Sequence, residues 1–271
     1  MTRPRVYISY GVPKSASTFL YQIIEEIIRT DGCSPVRLGP PFCPHGSVEN
    51  YIDPITAPIL QTITERVNPR GVVLKTHSAL PEDVKELIEA GQVLASAVIR
   101  DPREIALSML DHGRRSRRWG QSAFAEYHEI EDTLPSIDAQ FERFLTWEGS
   151  SRVLVFTFNQ VCFETRNAIG RIARQLSMKI DASSVLLPFK QRRGIGQFNK
   201  GAALRYHEMD PNTQEIFLKR YAPIYERFGF DTAAAERERL RQARRSLPGR
   251  GELAQSLTNF RRFVRDRRLR S

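Results

Sequence analysis

Apolar and polar positions along the chain alternate between two periods. Residues 6–10 read Val-Tyr-Ile-Ser-Tyr, a β-branched and aromatic run halted by Gly11-Val12-Pro13, which predicts a short strand. Phe19, Leu20, Ile23, Ile24, Ile27 and Ile28 then recur at helical spacing up to Asp31-Gly32. Residues 33–60 hold six prolines and little periodicity, so they read as a long irregular insert of the kind that forms binding loops or lids. Val72, Val73 and Leu74 predict a buried strand, followed by a helix with Pro81 in its first turn, Glu82 and Asp83 behind it, and Gly91 as its stop. Residues 93–99 predict the next strand. Asp101 then reads as an N-cap, Pro102 as the first helical residue and Glu104 as the far side of a capping-box-like spacing. A helix over 137–147, a strand over 153–158, a helix over 167–176 and a helix from Asp210-Pro211 to about Phe228 complete the pattern, and no fixed-period repeat appears.

Short apolar strands alternating with helices predict an α/β domain with a parallel central sheet covered by helices on both faces. In such sheets ligands bind beyond the C-terminal strand ends, where loops enter helices. The chemically suggestive residues of this chain fall at those places.

Composition changes the picture only at one end. The net charge is +10 over 271 residues, but residues 236–271 contribute twelve arginines against four acids, so the remainder is nearly neutral. Residues 236–246 read as helical, Leu247-Pro248-Gly249 breaks them, and Leu257, Phe260, Phe263 and Val264 follow among six arginines. That tail reads as a basic amphipathic segment suited to anionic lipid or RNA, or as one whose apolar edge packs on the domain or on a second copy in a homodimer. Cys33, Cys43 and Cys162 are an odd set without paired spacing, which predicts free thiols in a reducing compartment. With no apolar signal core at the start and no run near the roughly 18 apolar residues of a membrane span, a cytoplasmic location is expected.

Four segments collect chemistry. Between the first strand and the first helix, Lys14, Ser15, Ala16, Ser17 and Thr18 combine small residues, hydroxyls and a cation at a helix N-terminus, which suits an anion. The Gly-Lys-Ser/Thr ending of a magnesium-nucleotide loop is missing; a surface lysine in a serine-rich turn remains open. Lys75-Thr76-His77 leaves the second strand, and a histidine there can accept a hydroxyl proton near neutral pH. Arg100 ends the third strand, with Ser108 about two turns along the following helix, a pair suited to a phosphate or equally to a salt bridge and packing. Arg192-Arg193-Gly194 lies in a basic, glycine-punctuated segment over 191–200. Cys33, Cys43 and His45 lack zinc-site spacing, so no metal is expected.

In this order and spacing the segments resemble the sulfotransferases that use 3′-phosphoadenosine 5′-phosphosulfate (PAPS), the cytosolic small-molecule branch included. Pro13-Lys14-Ser15-Ala16-Ser17-Thr18 is similar to the family's 5′-phosphosulfate loop, Arg100-Asp101-Pro102-Arg103 with Ser108 to its 3′-phosphate segment, Lys75-Thr76-His77 to its catalytic-histidine segment, and Arg192-Arg193-Gly194 to its nucleotide-closing segment. The resemblance covers roughly residues 5–230. It implies a P-loop nucleoside-triphosphate-hydrolase-like α/β fold, a sulfotransferase domain over 1–235 with the arginine-rich tail at 236–271, PAPS as co-substrate and PAP as product. It also implies His77 as general base, Lys14 and Lys75 as catalytic cations, and Lys14, Ser15, Ala16, Ser17, Thr18, Phe19, Arg100, Ser108, Arg192, Arg193 and Gly194 as nucleotide contacts. Phe158 stands where the family has an adenine-side tyrosine, and one residue rather than two separates Gly194 from Gly196. The expected acceptor is the hydroxyl (or amine) of a small molecule, glycan or lipid. It would be recognised by residues 33–60 and by residues 113–127, where Arg114, Arg115, Arg117, Arg118 and Trp119 hint at an acidic or glycan-like group or form a solvated face. A P-loop-type small-molecule kinase and a basic nucleic-acid or membrane-surface binding protein remain as alternatives.

Overall fold

The computed structural model describes residues 6–43, 50–67, 71–190 and 204–230. Among them, strands β1 (Val6–Gly11), β2 (Val72–Thr76), β3 (Val93–Ile99) and β4 (Val153–Thr157) form one parallel sheet in the order β2-β1-β3-β4. Val6 pairs with Val72 on one side and Val93 on the other, and Ala95 pairs with Val153. Side chains of a strand alternate between faces, so a buried strand feeds two cores. Val6, Ile8, Tyr10, Leu74, Ala97 and Ile99 point into one cluster, whereas Tyr7, Val73, Val98 and Phe156 point into the other.

Helices α1 (Ser17–Thr30), α7 (Thr165–Gln175) and α8 (Ala182–Lys190) cover the second face through Ile23, Ile27, Ile169, Ile172 and Val185. Helices α2 (Ala57–Val67), α3 (Glu82–Glu89), α4 (Pro102–Arg118), α5 (Leu134–Glu148), α9 (Pro211–Arg220) and α10 (Ala222–Phe228) supply apolar residues to the first, with the short α6 (Phe158–Cys162) after β4. The predicted α/β class with helices on both faces is the fold found.

Several local readings change. The insert is not irregular throughout: α2 begins within it at Ala57, and buried Asn50 organises the rest. The Asn50 side-chain amide donates to Val36 O (2.8 Å) and Val73 O (3.0 Å), and its Oδ1 accepts from Leu38 N (2.8 Å). The Asn50 carbonyl also accepts from Lys75 N at 2.8 Å, so the insert covers the outer edge of β2. β4 ends one residue earlier than expected, because Thr157 and Gln160 form a reciprocal capping box that turns Phe158 into α6. Residues 182–190, unread in the pattern, are helical. The long helix predicted from Asp210 breaks at Tyr221, since a proline in the first turn of α10 starts a new helix. Asp101 caps α4 by accepting from Arg103 N at 2.9 Å, but Glu104 turns away from the cap.

Candidate active site

The strand order reverses between β1 and β3, which is where an α/β sheet opens a crevice at its carboxyl edge. The loop leaving β1 is laced to β3: Val12 N donates to Val98 O at 3.0 Å and Ser15 Oγ to the same carbonyl at 3.1 Å. Gly11 permits this approach, since a Cβ there would lie 2.4 Å from Ser17 Cβ and 2.9 Å from Val98 Cγ1. Lys14 and Ala16 take left-handed backbone conformations at φ 71° and 69°. For non-glycine residues that conformation costs about 1–2 kcal/mol each and persists where surroundings enforce it, as at ligand clamps. Ser15 N donates to Val12 O at 3.2 Å, and the first backbone bond of the helix is Leu20 N to Ala16 O at 3.0 Å. Among the described residues no side chain caps α1. The amides available to an anion are therefore those of Ala16, Ser17, Thr18 and Phe19, the Ser15 amide being engaged within the loop. The Phe19 ring packs edge-on against Phe189 at 5.4 Å, so only its backbone faces the mouth.

Three cations converge on this mouth. Lys75, buried on β2, donates from Nζ to Thr18 Oγ1 at 2.6 Å. Arg100, at the end of β3, pairs through Nε with Glu104 Oε2 (2.8 Å), donates from Nη1 to Lys14 O (3.4 Å) and lies 3.9 Å over the Phe158 ring. Phe158, where a tyrosine was expected by resemblance, is thus the platform under the guanidinium. Burial, reinforced by Arg115, Arg100 and Lys75, lowers the Lys14 ammonium from its ordinary range to about 8. Ser108 is buried on α4.

His77 follows β2 and turns its ring onto the end of β1, where Nδ1 bonds the Gly11 carbonyl. A carbonyl can only accept, so Nδ1 carries the proton and Nε2 presents a lone pair. Burial, with Lys75 as the next cause, lowers the imidazole to about 4, which keeps it neutral at physiological pH. Tyr51 from the insert lies 5.5 Å from the His77 ring centre and donates its hydroxyl to Asp53 Oδ2 at 2.9 Å.

The sequence reading missed His112. Its Nδ1 is 2.7 Å from Lys14 Nζ, and Phe124 stands over both, 5.1 Å from the ammonium and 5.0 Å from the imidazole. The available signal was its place four residues after Ser108, on the same helix face. Of the arginines read as acceptor contacts, Arg117 is otherwise engaged, donating to Ala125 O (2.7 Å) and Tyr127 O (2.9 Å), and Arg114 pairs with Asp111 at 3.9 Å. Arg103 is likewise structural: it pairs with Asp101 at 2.6 Å and lies between the Tyr206 and Tyr225 rings.

Arg192, Arg193 and Gly194 lie outside the described residues. Both flanks of that segment sit beside the site. On one side α8 meets Phe19 through Phe189; on the other, Arg205 N donates to Glu104 Oε1 at 2.6 Å and Arg205 Nη2 pairs with Asp111 at 2.9 Å. The arginine-rich tail also lies outside the described residues. Among those residues no group of three or more His, Cys, Asp or Glu gathers, and no helix is long and apolar enough to cross a membrane.

No family model matches the chain, and no curated protein sequence is significantly similar to it. Solved structures are similar in fold. Mouse sulfotransferase SULT7A1 complexed with PAP superposes with a TM-score of 0.54 at 16% identity, over 80% of this chain and 82% of that one. Retinol dehydratase with retinol and PAP gives 0.53 at 15% identity over 80% of each chain. The same enzyme with androsterone and PAP gives 0.52 at 13% identity, over 80% of this chain and 79% of that one. The α/β fold, a parallel sheet flanked by helices, is therefore similar to that of solved sulfotransferases.

Proposed function

We propose that the protein transfers a sulfuryl group from PAPS to an acceptor hydroxyl (or amine). The observation that carries this reading is the convergence of Lys14, Lys75 and Arg100 on one uncapped helix mouth, a density of positive charge suited to a polyanionic donor. The 5′-phosphosulfate is assigned to the amides of residues 16–19 with the hydroxyls of Ser17 and Thr18, and the 3′-phosphate to Arg100 and Ser108. Arg192, Arg193 and Gly194 are proposed to complete the nucleotide site. The solved structures similar in fold hold PAP, which supports this nucleotide over ATP.

In the proposed reaction the acceptor hydroxyl gives its proton to His77 Nε2 as its oxygen bonds to sulfur. The bond from sulfur to the 5′-phosphate oxygen breaks, and Lys14 stabilises the charge that develops on that oxygen. Lys75 lends further positive charge and holds the first turn of α1 through Thr18. A hydroxylated small molecule is the favoured acceptor class, since retinol and androsterone occupy the retinol dehydratase complexes. The free thiols of Cys33, Cys43 and Cys162 suit a reducing, cytoplasmic setting.

Calorimetry with PAP and ATP, followed by turnover with a panel of phenols, retinol and androsterone, tests the reading. PAP is expected to bind at least tenfold more tightly than ATP, and Lys14→Ala and His77→Ala to lose turnover by two or more orders of magnitude while staying folded. Preference for ATP, or near-normal turnover in either variant, would overturn the corresponding assignment.

A further inference from the structure

We propose that His112 is a positioning residue for Lys14, its Nδ1 lone pair fixing the ammonium at the mouth of the anion loop under the cover of Phe124. The proposal rests on the reading of Lys14 as the cation of the leaving group. An ammonium can only donate, so at 2.7 Å the His112 Nδ1 must be unprotonated and the ring a neutral Nε2–H tautomer. Burial beside Lys14 also lowers His112 to about 4, so the ring stays an acceptor at neutral pH.

The identity of this acceptor matters because of what else faces Lys14. Arg115 and Asp111 come from α4, Arg100 from the end of β3 and Lys75 from β2. Three cations against one acid would push a free lysine tip away. A carboxylate holding it would cancel positive charge that the donor requires. A neutral imidazole orients the ammonium and leaves the local charge unchanged.

Phe124 is seated by a built device. It takes a left-handed backbone at φ 61°, an uncommon conformation for a bulky residue. A Cβ on Gly113 would lie 2.1 Å from Phe124 O, so the segment docks only because α4 carries glycine there. Arg117 then pins the same segment through Ala125 O and Tyr127 O. The ring over the ammonium adds a cation–π contact at 5.1 Å.

The test compares His112→Leu, His112→Asn and Lys14→Met in the full chain, reading PAP released from PAPS with 2-naphthol as acceptor. His112→Leu is expected to lower kcat at least tenfold with donor KM within threefold, and His112→Asn, which keeps an acceptor, to recover most of it. Wild-type kcat in His112→Leu, or an asparagine variant as impaired as the leucine one, overturns the proposal. If Lys14→Met is then inactive, the leaving-group reading still stands; full turnover in Lys14→Met overturns both. Imidazole ¹⁵N NMR of the wild-type protein provides a readout free of any acceptor. His112 is expected to titrate below about pH 5 with Nδ1 unprotonated, and to rise in Lys14→Met. Ordinary titration in both proteins overturns the contact.

Discussion

Lys75 Nζ donates to Thr18 Oγ1 at 2.6 Å, so a cation on β2 is tied to the first turn of α1, the helix whose mouth is the proposed anion site. Both groups are buried, and the bond fixes where the charge sits relative to the helix amides. Thr18→Val removes this one acceptor of the buried ammonium, which is expected to destabilise the protein by about 1 kcal/mol. Thr18→Val with Lys75→Met replaces both partners by apolar groups and is expected to recover part of that loss. Urea unfolding of the three variants measures the cycle; a double variant less stable than Thr18→Val would contradict it.

The proposed chemistry needs a neutral His77 and a charged Lys14. Activity is therefore expected across a plateau bounded by an acid limb near the His77 value of about 4 and an alkaline limb near the Lys14 value of about 8. Anion binding favours the charged form of each, so PAP is expected to raise both limbs, His77 most visibly by NMR. No upward movement of His77 with PAP would remove it from the donor site.

The same depressed histidines set a stability trend. A folded-state value of about 4 against about 6.5 in the unfolded chain means that the unfolded state binds more protons between those pH values. Stability contributed by neutral His77 and His112 is thus complete above about pH 6.5 and falls as pH drops toward 4. Thermal unfolding from pH 7 to pH 4.5 is expected to show a smaller decline in His77→Asn than in the wild type.

Arg100 combines an ion pair with Glu104 and a stack on Phe158. A lysine keeps the charge but not the planar fork, so Arg100→Lys is expected to weaken PAP binding about tenfold or more. Phe158→Leu is expected to weaken it less, by loss of the platform alone. Calorimetry separates the two, and unchanged affinity in Arg100→Lys would exclude a phosphate role.

Gly113→Ala places a methyl where the Phe124 carbonyl lies. Displacement of the docked segment is expected to cost about 1–3 kcal/mol and to uncover Lys14. A lowered Tm together with reduced turnover is the expected result; an unchanged Tm would mean that the segment does not dock there.

Period and punctuation in the sequence were enough to determine the β1-loop-α1 entry, β2, β3, the start of α4 and hence the α/β class. Local rules govern those elements: β-branched alternation, a helical apolar stripe, a proline behind an aspartate cap. Lys14, His77 and Arg100 were legible as candidates because each lies at the carboxyl end of a strand, where the fold class itself puts ligands. The Thr157–Gln160 box and the second helix start beyond Tyr221 were also written locally, and a closer reading of caps and prolines would have found them.

Other features came only from tertiary structure, because they depend on pairs far apart in sequence. Nothing near Asn50 says that its amide will bridge Val36 and Val73, and nothing near Glu104 says that it will accept from the Arg205 amide. The tautomer of His77 follows from a carbonyl 66 positions away, and the role of His112 from a lysine 98 positions away. A side chain's type fixes what it can donate or accept. Which of these it does is decided by the partner that folding brings to it.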